Sequence, residues 1–576
     1  MRSERTWIGL AVLGLLGLCF LAFFNQLGTL GLMDKTEGLF AEIPRQMLLT
    51  GDWVTPRWNG ETFFDYPVWG YWMVAISFRV FGTTEWAARL PAALAASFTV
   101  LALFAVVFAL SPQSQPLRQR LGRATLAGSL LALSPGWIAW GRSSVTDMFL
   151  ASAITLALLG FVLVDQAAPP LAAKRLAPAQ QLGYGCLALF SAVAVLAKGP
   201  VGVLLPGLVI GVYLLLKGTL VPHLRQAPWL PMVSLFLGVT LPWYGAATVA
   251  NGFDFLSRFI GYSNFQRFTS VIYSHPGPPW FYLPWVLVFL LPWSLYLPVA
   301  VIKLRFWRLA VWRQPASSQD LSLFALVWLV AMVAFYSAAA TKLAGYILPV
   351  VPAGVLLVCL LLQPLASASP LGFGLRISGW INAALLGAAA LAIALVPRLL
   401  RQEPDYPFFA QALIHTGLHL WLPLVLLVAA LVLAWLLGRT THLPWVWLPN
   451  ATALSVVLAF AVPMALPVVD RERLLPIRTL GAVAGRVMQP NDLLAVVGFK
   501  RYSLLYYSNH SALFVTNPQE VLDALADQPG AGQVYLFGTE RELRNFGLTN
   551  ASFQLVARRG HHLLITATPA ALRHAL

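Results

Sequence analysis

Six carboxylates lie close together between two long apolar segments near the start of the chain. Only 10% of the 576 residues are charged, yet the stretch from Met33 to Trp72 contains Asp34, Glu37, Glu42, Asp52, Glu61 and Asp65. A carboxylate can act as a general base that removes a proton from an attacking hydroxyl group. We therefore expect the catalytic centre in this stretch. Solvated turn positions for Asp52 and Glu61, and a local pair of Glu42 with Arg45, stay open as simpler interpretations.

Further charged residues lie at the ends of later apolar segments. They are Arg142 and Asp147 in GRSSVTDMFL, Lys198 in AKGP, Arg267 in NFQRF, His275 in YSHPGPPW and Lys342 in ATKLAGYILP. Charges near a bilayer are costly, so they usually form a functional site or pair with each other. Three simpler interpretations stay open: an ion pair between Arg142 and Asp147, a snorkelling Lys198, and a packing role for His275. One histidine with scattered carboxylates does not make a metal site.

The composition indicates which elements must position these residues. The chain is 59% hydrophobic and contains 21 Trp, and its mean hydropathy is +0.73, so it has too little polar surface for a soluble globular protein. Apolar runs of about 20 residues are long enough to cross a bilayer as helices. We expect an α-helical polytopic membrane protein with about 13 transmembrane helices, near residues 7–26, 87–110, 124–140, 147–165, 181–197, 200–217, 229–248, 280–302, 321–339, 344–362, 376–396, 419–438 and 449–467.

Charge and cysteine content argue against other classes. The net charge of +16 would suggest nucleic-acid binding in a soluble protein, but Lys and Arg lie mostly in short loops between apolar runs, which is typical of cytoplasmic loops. No nucleic-acid partner is therefore expected. Cys19, Cys186 and Cys359 lie inside apolar runs, so neither a disulfide framework nor a thiolate metal site is expected. The run Ile8–Phe24 is expected to be an uncleaved signal anchor.

The loop charges predict the orientation of the chain. With the N-terminus in the cytoplasm, every loop on that side is basic, and an odd number of helices places the first loop and the C-terminus outside. Residues 1–468 are expected to form the transmembrane domain, with two interfacial helices in the loop 27–86, over Thr36–Leu49 and Tyr66–Phe81. Residues 469–576 are expected to form a small extracytoplasmic α/β domain with strands near Leu493–Gly498, Ser511–Val515, Gln533–Phe537 and His562–Thr566.

The charges at the outer ends of the helices suit transfer from a phosphate-bearing lipid. Cationic side chains can hold the phosphate and stabilise the charge that develops on it as a leaving group. A carboxylate opposite them can deprotonate the acceptor. A lipid-linked donor would also explain why the sequence contains no nucleotide-binding motif, because the activated group then reaches the site through the bilayer.

Several motifs between Thr36 and Ala353 resemble, in the same order, those of the GT-C glycosyltransferases that use polyprenyl-phosphate sugars. They are TEGLFAEIPRQMLLTGDWVTPRWNG, FFDYPVWGYW, RSSVTDMFLAS, AKGP, LPWY, NFQRF followed by His275, and TKLAGYILPVVPA. The chain is most similar to the bacterial group that includes lipid A aminoarabinose transferases and protein O-mannosyltransferases. The resemblance implies a GT-C fold, a polyprenyl-phosphate sugar donor and a location in the bacterial plasma (inner) membrane.

The resemblance also implies roles for individual carboxylates. The family has an Asp-Glu pair at the start of the first-loop helix, and the first member of that pair is the proposed base. In this chain Thr36 and Glu37 occupy the two positions, and Asp34 lies just upstream. The base is therefore left open between Asp34 and Glu37. Asp147 matches the family's second-loop Asp, which orients the acceptor or the catalytic helix.

The predicted donor-binding residues depart from the family at one place. Where the family often has an acidic residue followed by Lys and Pro, this chain has Asp65-Tyr66-Pro67. Tyr66 can form a hydrogen bond but carries no charge, so binding of the donor phosphate is expected to depend on Arg267, Lys342, Lys198 and Arg142. The substrate cavity is expected to include Asp65, Tyr66, Glu42, His275 and Tyr346.

The predicted function is an inverting membrane glycosyltransferase that moves a sugar from a polyprenyl-phosphate carrier to a hydroxyl or phosphate on a lipid, glycan or protein at the outer face. No cofactor is expected to be required, although a divalent metal can assist. Two alternatives stay open: a secondary transporter, which needs two related halves with charges near the bilayer midplane, and a non-catalytic scaffold for envelope assembly. The sequence identifies neither the sugar nor the acceptor.

Overall fold

The chain folds into a bundle of apolar helices with a small α/β unit formed by its last residues. The computed structural model describes residues 2–166, 176–271, 275–313, 319–362, 373–399, 408–439, 445–528, 530, 532–549 and 552–575. Within these ranges the helices Thr146–Gln166 and Ala344–Leu362 are almost completely enclosed by their neighbours. They form the centre of the bundle, and more exposed helices surround them.

Ten helices in the described ranges are long and apolar enough to cross a bilayer. They are Glu4–Phe24, Glu85–Leu110, Thr146–Gln166, Pro178–Lys198, Trp229–Ser263, Asp320–Ala338, Ala344–Leu362, Phe373–Ala394, Leu418–Gly438 and Leu448–Val487. A bent pair, Tyr282–Phe289 with Trp293–Lys303, raises the count to 11 if it forms one span. The chain is therefore a multi-pass membrane protein, as the sequence predicts.

Three of the predicted spans differ from the expected long, straight helices. The segment near 124–140 is divided into Leu117–Ala132 and Pro135–Gly141, with Pro135 in the first turn of the second helix, where proline is tolerated. The segment near 200–217 forms the 17-residue helix Val201–Lys217. The segment near 280–302 bends by 110° at a break that contains Pro292. The apolar segments are where the sequence predicts them, but hydropathy does not reveal breaks within them.

Several short helices lie between these longer ones. In the described ranges they are Leu220–Gln226, Arg267–Thr269, Leu309–Trp312, Val396–Leu399 and Phe409–His415.

The first loop contains two helices separated by a small hairpin. The first-loop helix spans Glu37–Thr50 and ends at Gly51, whose φ of 72° suits glycine. Strands β1 (Arg57–Trp58) and β2 (Glu61–Thr62) pair in antiparallel fashion, and the helix Trp69–Phe81 follows. The predicted first helix is confirmed to within one residue. Glu42 and Arg45 on its polar side are buried.

The last residues form a five-stranded mixed sheet. Its strands are β3 (Leu493–Val497), β4 (Ala512–Val515), β5 (Val534–Thr539), β6 (Gln554–Arg559) and β7 (His562–Ala567), in the order β4-β3-β5-β7-β6. Strand β3 pairs in parallel with β4 and β5, whereas β7 pairs in antiparallel fashion with β5 and β6. The helices of this unit are Ser503–Ser508, Pro518–Asp527, Glu540–Asn545 and Pro569–His574.

Four of these five strands are predicted from the sequence. Strand β6 is missed because it is an edge strand whose residues QLVARR are partly exposed and mixed in polarity. We call residues 488–576 the C-terminal domain. The helical run Leu448–Val487 connects it to the bundle and continues through residue 469, where the sequence analysis divides the chain.

Candidate active site

A small cavity with a mixed lining of apolar and polar side chains lies at the end of the bundle that carries the first loop. Its volume is about 70 Å³, which accommodates a few water molecules. The lining includes four polar or charged side chains from separate parts of the chain and three tyrosines, namely Asp65, Lys198, Ser263, Thr341, Tyr66, Tyr336 and Tyr346. The cavity therefore brings together the first loop, the C-terminal end of the helix Pro178–Lys198 and the segments around residues 263 and 341–346.

Close helix packing positions Lys198 beside Asp147. The helices Thr146–Gln166 and Pro178–Lys198 run in opposite directions, so the start of one meets the end of the other. They approach closely at two glycines, because a Cβ at Gly160 would lie 2.7 Å from the carbonyl oxygen of Gly183. As a result, Lys198 Nζ donates to Asp147 Oδ1 at 2.5 Å.

Aromatic rings surround the Lys198 ammonium. Its Nζ lies 4.4 Å from the ring centroid of Tyr346 and 5.6 Å from that of Tyr66, distances at which cation–π attraction operates. Asp147 occupies one of the three donor directions of the ammonium. The side chain is 9% exposed and lines the cavity. Lys198 is thus a fixed positive charge that can bind an anionic group entering the cavity.

Asp65 faces the cavity from the first loop. Its Oδ1 accepts a hydrogen bond from Ser263 Oγ at 3.3 Å. Tyr71 lies nearby and is 1% exposed; burial, together with the neighbouring Tyr66 and Asp65, raises the pKa of its phenol well above the usual value. Asp65 therefore lines the cavity and lies near the phenol of Tyr71, which stays neutral.

Glu37 is enclosed by hydrogen-bond donors. Its carboxylate is bound by Arg89 Nε at 2.8 Å and Arg89 Nη2 at 2.6 Å, by the Ser144 amide at 2.9 Å and by the Met33 amide at 3.1 Å. Burial would raise the pKa of Glu37, but the Arg89 charge and these hydrogen bonds outweigh burial and lower it. The side chain is 0% exposed, so this arrangement fixes the first-loop helix and leaves no oxygen for an acceptor.

Asp34 faces the C-terminal domain. Its Oδ1 accepts from the Ser503 amide at 3.0 Å and from Ser503 Oγ at 2.5 Å. Burial raises the pKa of Asp34, although these hydrogen bonds and Arg501 act in the opposite direction. Among the described residues that line the cavity, Asp34 does not appear.

The other predicted site residues lie outside the described lining of the cavity. Glu42 binds Arg45 through both oxygens, at 2.6 and 2.7 Å, and Gln46 at 2.6 Å. The local pair left open in the sequence analysis is therefore formed. Arg142 donates to the Asn25 carbonyl at 2.7 Å, so the alternative pair with Asp147 is not formed.

Lys342, one of the cations assigned to the donor phosphate, has other hydrogen-bond partners, and His275 is not among the described residues that line the cavity. Lys342 Nζ donates to the carbonyls of Ser337 at 2.8 Å and Ala339 at 2.5 Å. The His275 side chain is exposed, and its carbonyl accepts from the Lys342 amide at 3.0 Å. The Arg267 side chain lies outside the described part of the structure. Asp65, Tyr66, Asp147, Lys198 and Tyr346 are thus the predicted residues that the fold brings together.

Sequence reasoning misses Arg89, the partner of Glu37. Arg89 donates to the carbonyls of Leu27, Leu30 and Gly31 in addition to Glu37, so it organises the whole start of the first loop. A usable signal is present, because Arg89 is a charge in the second turn of the apolar helix Glu85–Leu110, and charges in such helices usually form a functional site or pair with another charge. In the described ranges, no group of three His, Cys, Asp or Glu side chains is arranged to hold a metal ion.

Comparisons with known proteins identify the family. A family model for dolichyl-phosphate-mannose-protein mannosyltransferases matches residues 65–245. An undecaprenyl phosphate-alpha-4-amino-4-deoxy-L-arabinose arabinosyl transferase of Aeromonas salmonicida is 31% identical over 83% of this chain and 81% of the relative. A protein of the same name from Pseudomonas paraeruginosa is 32% identical over 76% of this chain and 75% of the relative.

The fold is that of a solved member of this group. The crystal structure of ArnT from Cupriavidus metallidurans bound to undecaprenyl phosphate matches with a TM-score of 0.74 over 98% of this chain and 99% of that chain, at 24% identity. The predicted GT-C fold and glycosyltransferase class are confirmed, and the transporter and scaffold alternatives are set aside. The chain belongs to the aminoarabinosyl transferase family, a group of membrane glycosyltransferases that use polyprenyl-phosphate sugars.

Proposed function

We propose that this protein transfers 4-amino-4-deoxy-L-arabinose, or a closely related sugar, from undecaprenyl phosphate to a hydroxyl or phosphate acceptor at the outer face of the plasma membrane. The names of the relatives support the donor. The observation that carries the proposal is the Lys198 ammonium, which Asp147 and the ring of Tyr346 hold at the edge of the small cavity.

An apolar groove next to the cavity supports a lipid-linked donor. The groove has a volume of about 460 Å³ and lies between the helices Val201–Lys217 and Asp320–Ala338. Its lining includes Leu208, Val212, Leu216 and Val330, and Phe335 lines both the groove and the small cavity that contains Lys198. An isoprenoid chain lying in this groove would bring its phosphate to Lys198.

The chemistry of the transfer follows from this placement. The acceptor oxygen attacks the anomeric carbon on the face opposite the phosphate, and the bond between that carbon and the phosphate oxygen breaks. Its electron pair leaves with undecaprenyl phosphate, which carries the added negative charge. Lys198 stabilises this charge from a side chain that is 9% exposed, where a fixed cation is worth more than in bulk solvent.

We assign the remaining predicted residues by their contacts. Asp147 positions Lys198 because it binds the ammonium directly. Glu37 positions the first-loop helix through Arg89, and Glu42 has a similar structural role through Arg45. The Lys342 ammonium binds two main-chain carbonyls, so we assign it to the support of the loop before Tyr346 instead of to the phosphate.

The charge of Lys198 also leads us to propose that transfer requires no divalent metal. A lysine ammonium can offset part of the phosphate charge, because Lys198 keeps two donor directions beside the one that Asp147 occupies. Transfer is therefore expected to continue in the presence of EDTA.

Turnover by the purified protein in liposomes tests the function. The donors are undecaprenyl phosphates that carry 4-amino-4-deoxy-L-arabinose, a neutral pentose or mannose, with acceptors that present either a hydroxyl or a phosphate. Mass spectrometry follows sugar transfer and release of undecaprenyl phosphate. We expect Lys198→Ala to lower kcat/KM by roughly 10²- to 10³-fold, and Lys198→Arg to recover part of this loss.

Lys303→Ala is the matched control, because Lys303 is exposed and lies on a different helix end. If the wild-type protein is folded and transfers none of these sugars, the proposed donor class is wrong. If Lys198→Ala keeps wild-type turnover, the assignment of Lys198 to the leaving phosphate is wrong.

A further inference from the structure

We propose that Lys217 is a positioning residue for the lipid tail of the donor, because its ion pairs hold together the two helices that line the apolar groove. The proposal rests on the function proposed above, since it needs a lipid-linked donor in that groove. Lys217 lies at the opposite end of its helix from Lys198, so it acts on the tail of the donor without touching the phosphate.

A buried ion cluster joins the ends of three helices. Lys217 Nζ lies 3.0 Å from Asp165 Oδ2 and 3.0 Å from Asp320 Oδ2. The side chain of Lys217 is 13% exposed, and those of Asp165 and Asp320 are 4% and 5% exposed. Lys217 ends one helix, Asp320 begins another, and Asp165 lies in the last turn of the third. Separating these ends would leave buried charges without compensation, so the cluster fixes the three helices to one another.

Aromatic rings pack beside the cluster from the same three helices. The ring centroid of Phe324 lies 5.4 Å from that of Phe161 and 5.2 Å from that of Tyr213. The Tyr213 hydroxyl also donates to Asp165 Oδ2 at 3.1 Å. All three rings are buried, and each lies four positions from a charged member of the cluster on its own helix. The ion pairs are therefore shielded on this side by packed rings.

Two of the three joined helices line the apolar groove. The helix that Lys217 ends contributes residues from Leu208 to Leu216, at every fourth position. The helix that Asp320 begins contributes residues from Leu326 to Phe335. The ion pair between Lys217 and Asp320 connects these helices at one end of the groove. It therefore sets their separation there, and with it the width of the groove.

The helix that ends at Lys217 also leads back to the small cavity. It begins at Val201, which lines that cavity, and two residues separate Val201 from Lys198. With 17 residues, the helix is about 25 Å long. Release of its Lys217 end would shift the groove lining relative to Lys198. Binding of the tail would then weaken while Lys198 keeps its contact with the phosphate.

Binding of undecaprenyl phosphate tests the proposal. The full-length wild-type protein and Lys217→Met are titrated with this lipid in nanodiscs, and native mass spectrometry measures the bound fraction. We expect Lys217→Met to raise Kd by about 3- to 30-fold, and Lys217→Arg, which keeps the charge, to recover part of this loss. Asp320→Asn breaks the same link while Asp165 still balances Lys217, so it should raise Kd in the same direction.

Asp165→Asn is the matched control. It removes one carboxylate from the same cluster but leaves Lys217 paired with Asp320, so the two groove helices stay joined. We expect a Kd close to that of the wild-type protein. An equal rise of Kd in Asp165→Asn and Lys217→Met would overturn the proposal, because the cluster would then act through the stability of the whole bundle.

A substitution inside the groove supplies a second readout. Val330 lines the groove and is 53% exposed, so Val330→Phe narrows the groove without entering the core. We expect Val330→Phe to raise Kd, and Lys217→Met to add much less in that background than alone, because both changes act on the same contact.

Fully additive effects, or a wild-type Kd in Val330→Phe or Lys217→Met, would overturn the proposal and leave the proposed function standing. A wild-type protein that does not bind undecaprenyl phosphate would overturn the proposed function as well.

Discussion

The contacts of Glu37 and Arg89 make this pair a structural element of the first loop. Both side chains are almost completely buried, and the guanidinium also binds three main-chain carbonyls. Burying two charges is costly, but removing one partner is costlier, because the other charge then remains buried without compensation. The pair is therefore expected to matter for stability more than for the chemical step.

Substitution of Glu37 separates these two roles. Glu37→Gln leaves the positive charge of Arg89 buried, so we expect a loss of about 3–5 kcal/mol in the free energy of unfolding. Thermal unfolding in detergent measures this loss, and Glu61→Gln is the exposed control. A Glu37→Gln protein with the wild-type melting temperature and no activity would instead identify Glu37 as the base.

At the residue scale, sequence reasoning finds the members of the site but not their partners. Lys198, Asp147 and Asp65 are recognisable because they are charges near the ends of apolar segments. The pairing of Glu37 with Arg89 spans 52 positions, and no local pattern indicates it. The same limit explains why Asp147 pairs with Lys198 instead of with Arg142, since the choice depends on how three helices pack.

The first-loop helix is held between the bundle and the C-terminal domain. Gly38 lies against the backbone of the C-terminal domain, because a Cβ at this position would be 2.5 Å from the Ser503 amide nitrogen. Arg45 Nη1 donates to Asn509 Oδ1, and Asn59 exchanges two hydrogen bonds with the Ala512 backbone, at 2.9 and 3.0 Å. The C-terminal domain thus covers the polar side of this helix.

A side chain at Gly38 should separate these two elements. The new Cβ in Gly38→Ala would contact backbone atoms, which cannot move away as a flexible side chain can. We therefore expect the C-terminal domain to be cleaved faster in limited proteolysis, with a fall in kcat of at least about tenfold, the equivalent of 1.4 kcal/mol. Unchanged proteolysis and turnover would contradict the proposed role of Gly38 in the packing of the first-loop helix against the C-terminal domain.

Gly122→Ala is the control for the Gly38 substitution. Gly122 is also helical, and in the described part of the chain a Cβ there meets no atom within 4 Å. Alanine favours helices more than glycine does, so this variant should be as stable as the wild-type protein.

At the element scale, periodicity predicts the helices and most strands but not what covers them. The positions of Glu42, Arg45 and Gln46 correctly indicate a polar side on the helix Glu37–Thr50. Periodicity alone assigns such a side to solvent. In the folded chain it is covered by a domain that begins more than 400 positions later, which only the tertiary structure reveals.

The whole molecule has two chemically different ends. The cavity with Lys198 and Asp65 lies at one end. At the opposite end Lys217 binds Asp165 and Asp320, both at 3.0 Å, and connects three helices there. We propose that the end with Lys198 faces outward, in accord with the basic loops at the opposite end.

Cysteine labelling tests this orientation. After replacement of Cys19, Cys186 and Cys359, a membrane-impermeant maleimide should label Arg559→Cys in the C-terminal domain of spheroplasts. It should label Lys303→Cys only after the membrane is permeabilised. Both positions are exposed, so a reversed pattern would show that the predicted orientation is wrong.

At the scale of the whole molecule, composition establishes the class, while the path of the chain needs the structure. Hydropathy predicts about 13 spans, and the described ranges contain 10 or 11 long enough to qualify, because helix breaks change length without changing composition. Neither the first loop nor the C-terminal domain has a sequence pattern that indicates the contacts between them.

The bond between Asp34 and Ser503 joins positions 469 residues apart, and this separation affects how the protein is made. The ribosome synthesises the first loop long before the C-terminal domain. The first-loop helix therefore lacks its contacts with the C-terminal domain until synthesis ends. Contacts this distant form late in folding, because a long loop must close first. An unfinished chain in the membrane therefore lacks the contacts that hold the first-loop helix against the C-terminal domain.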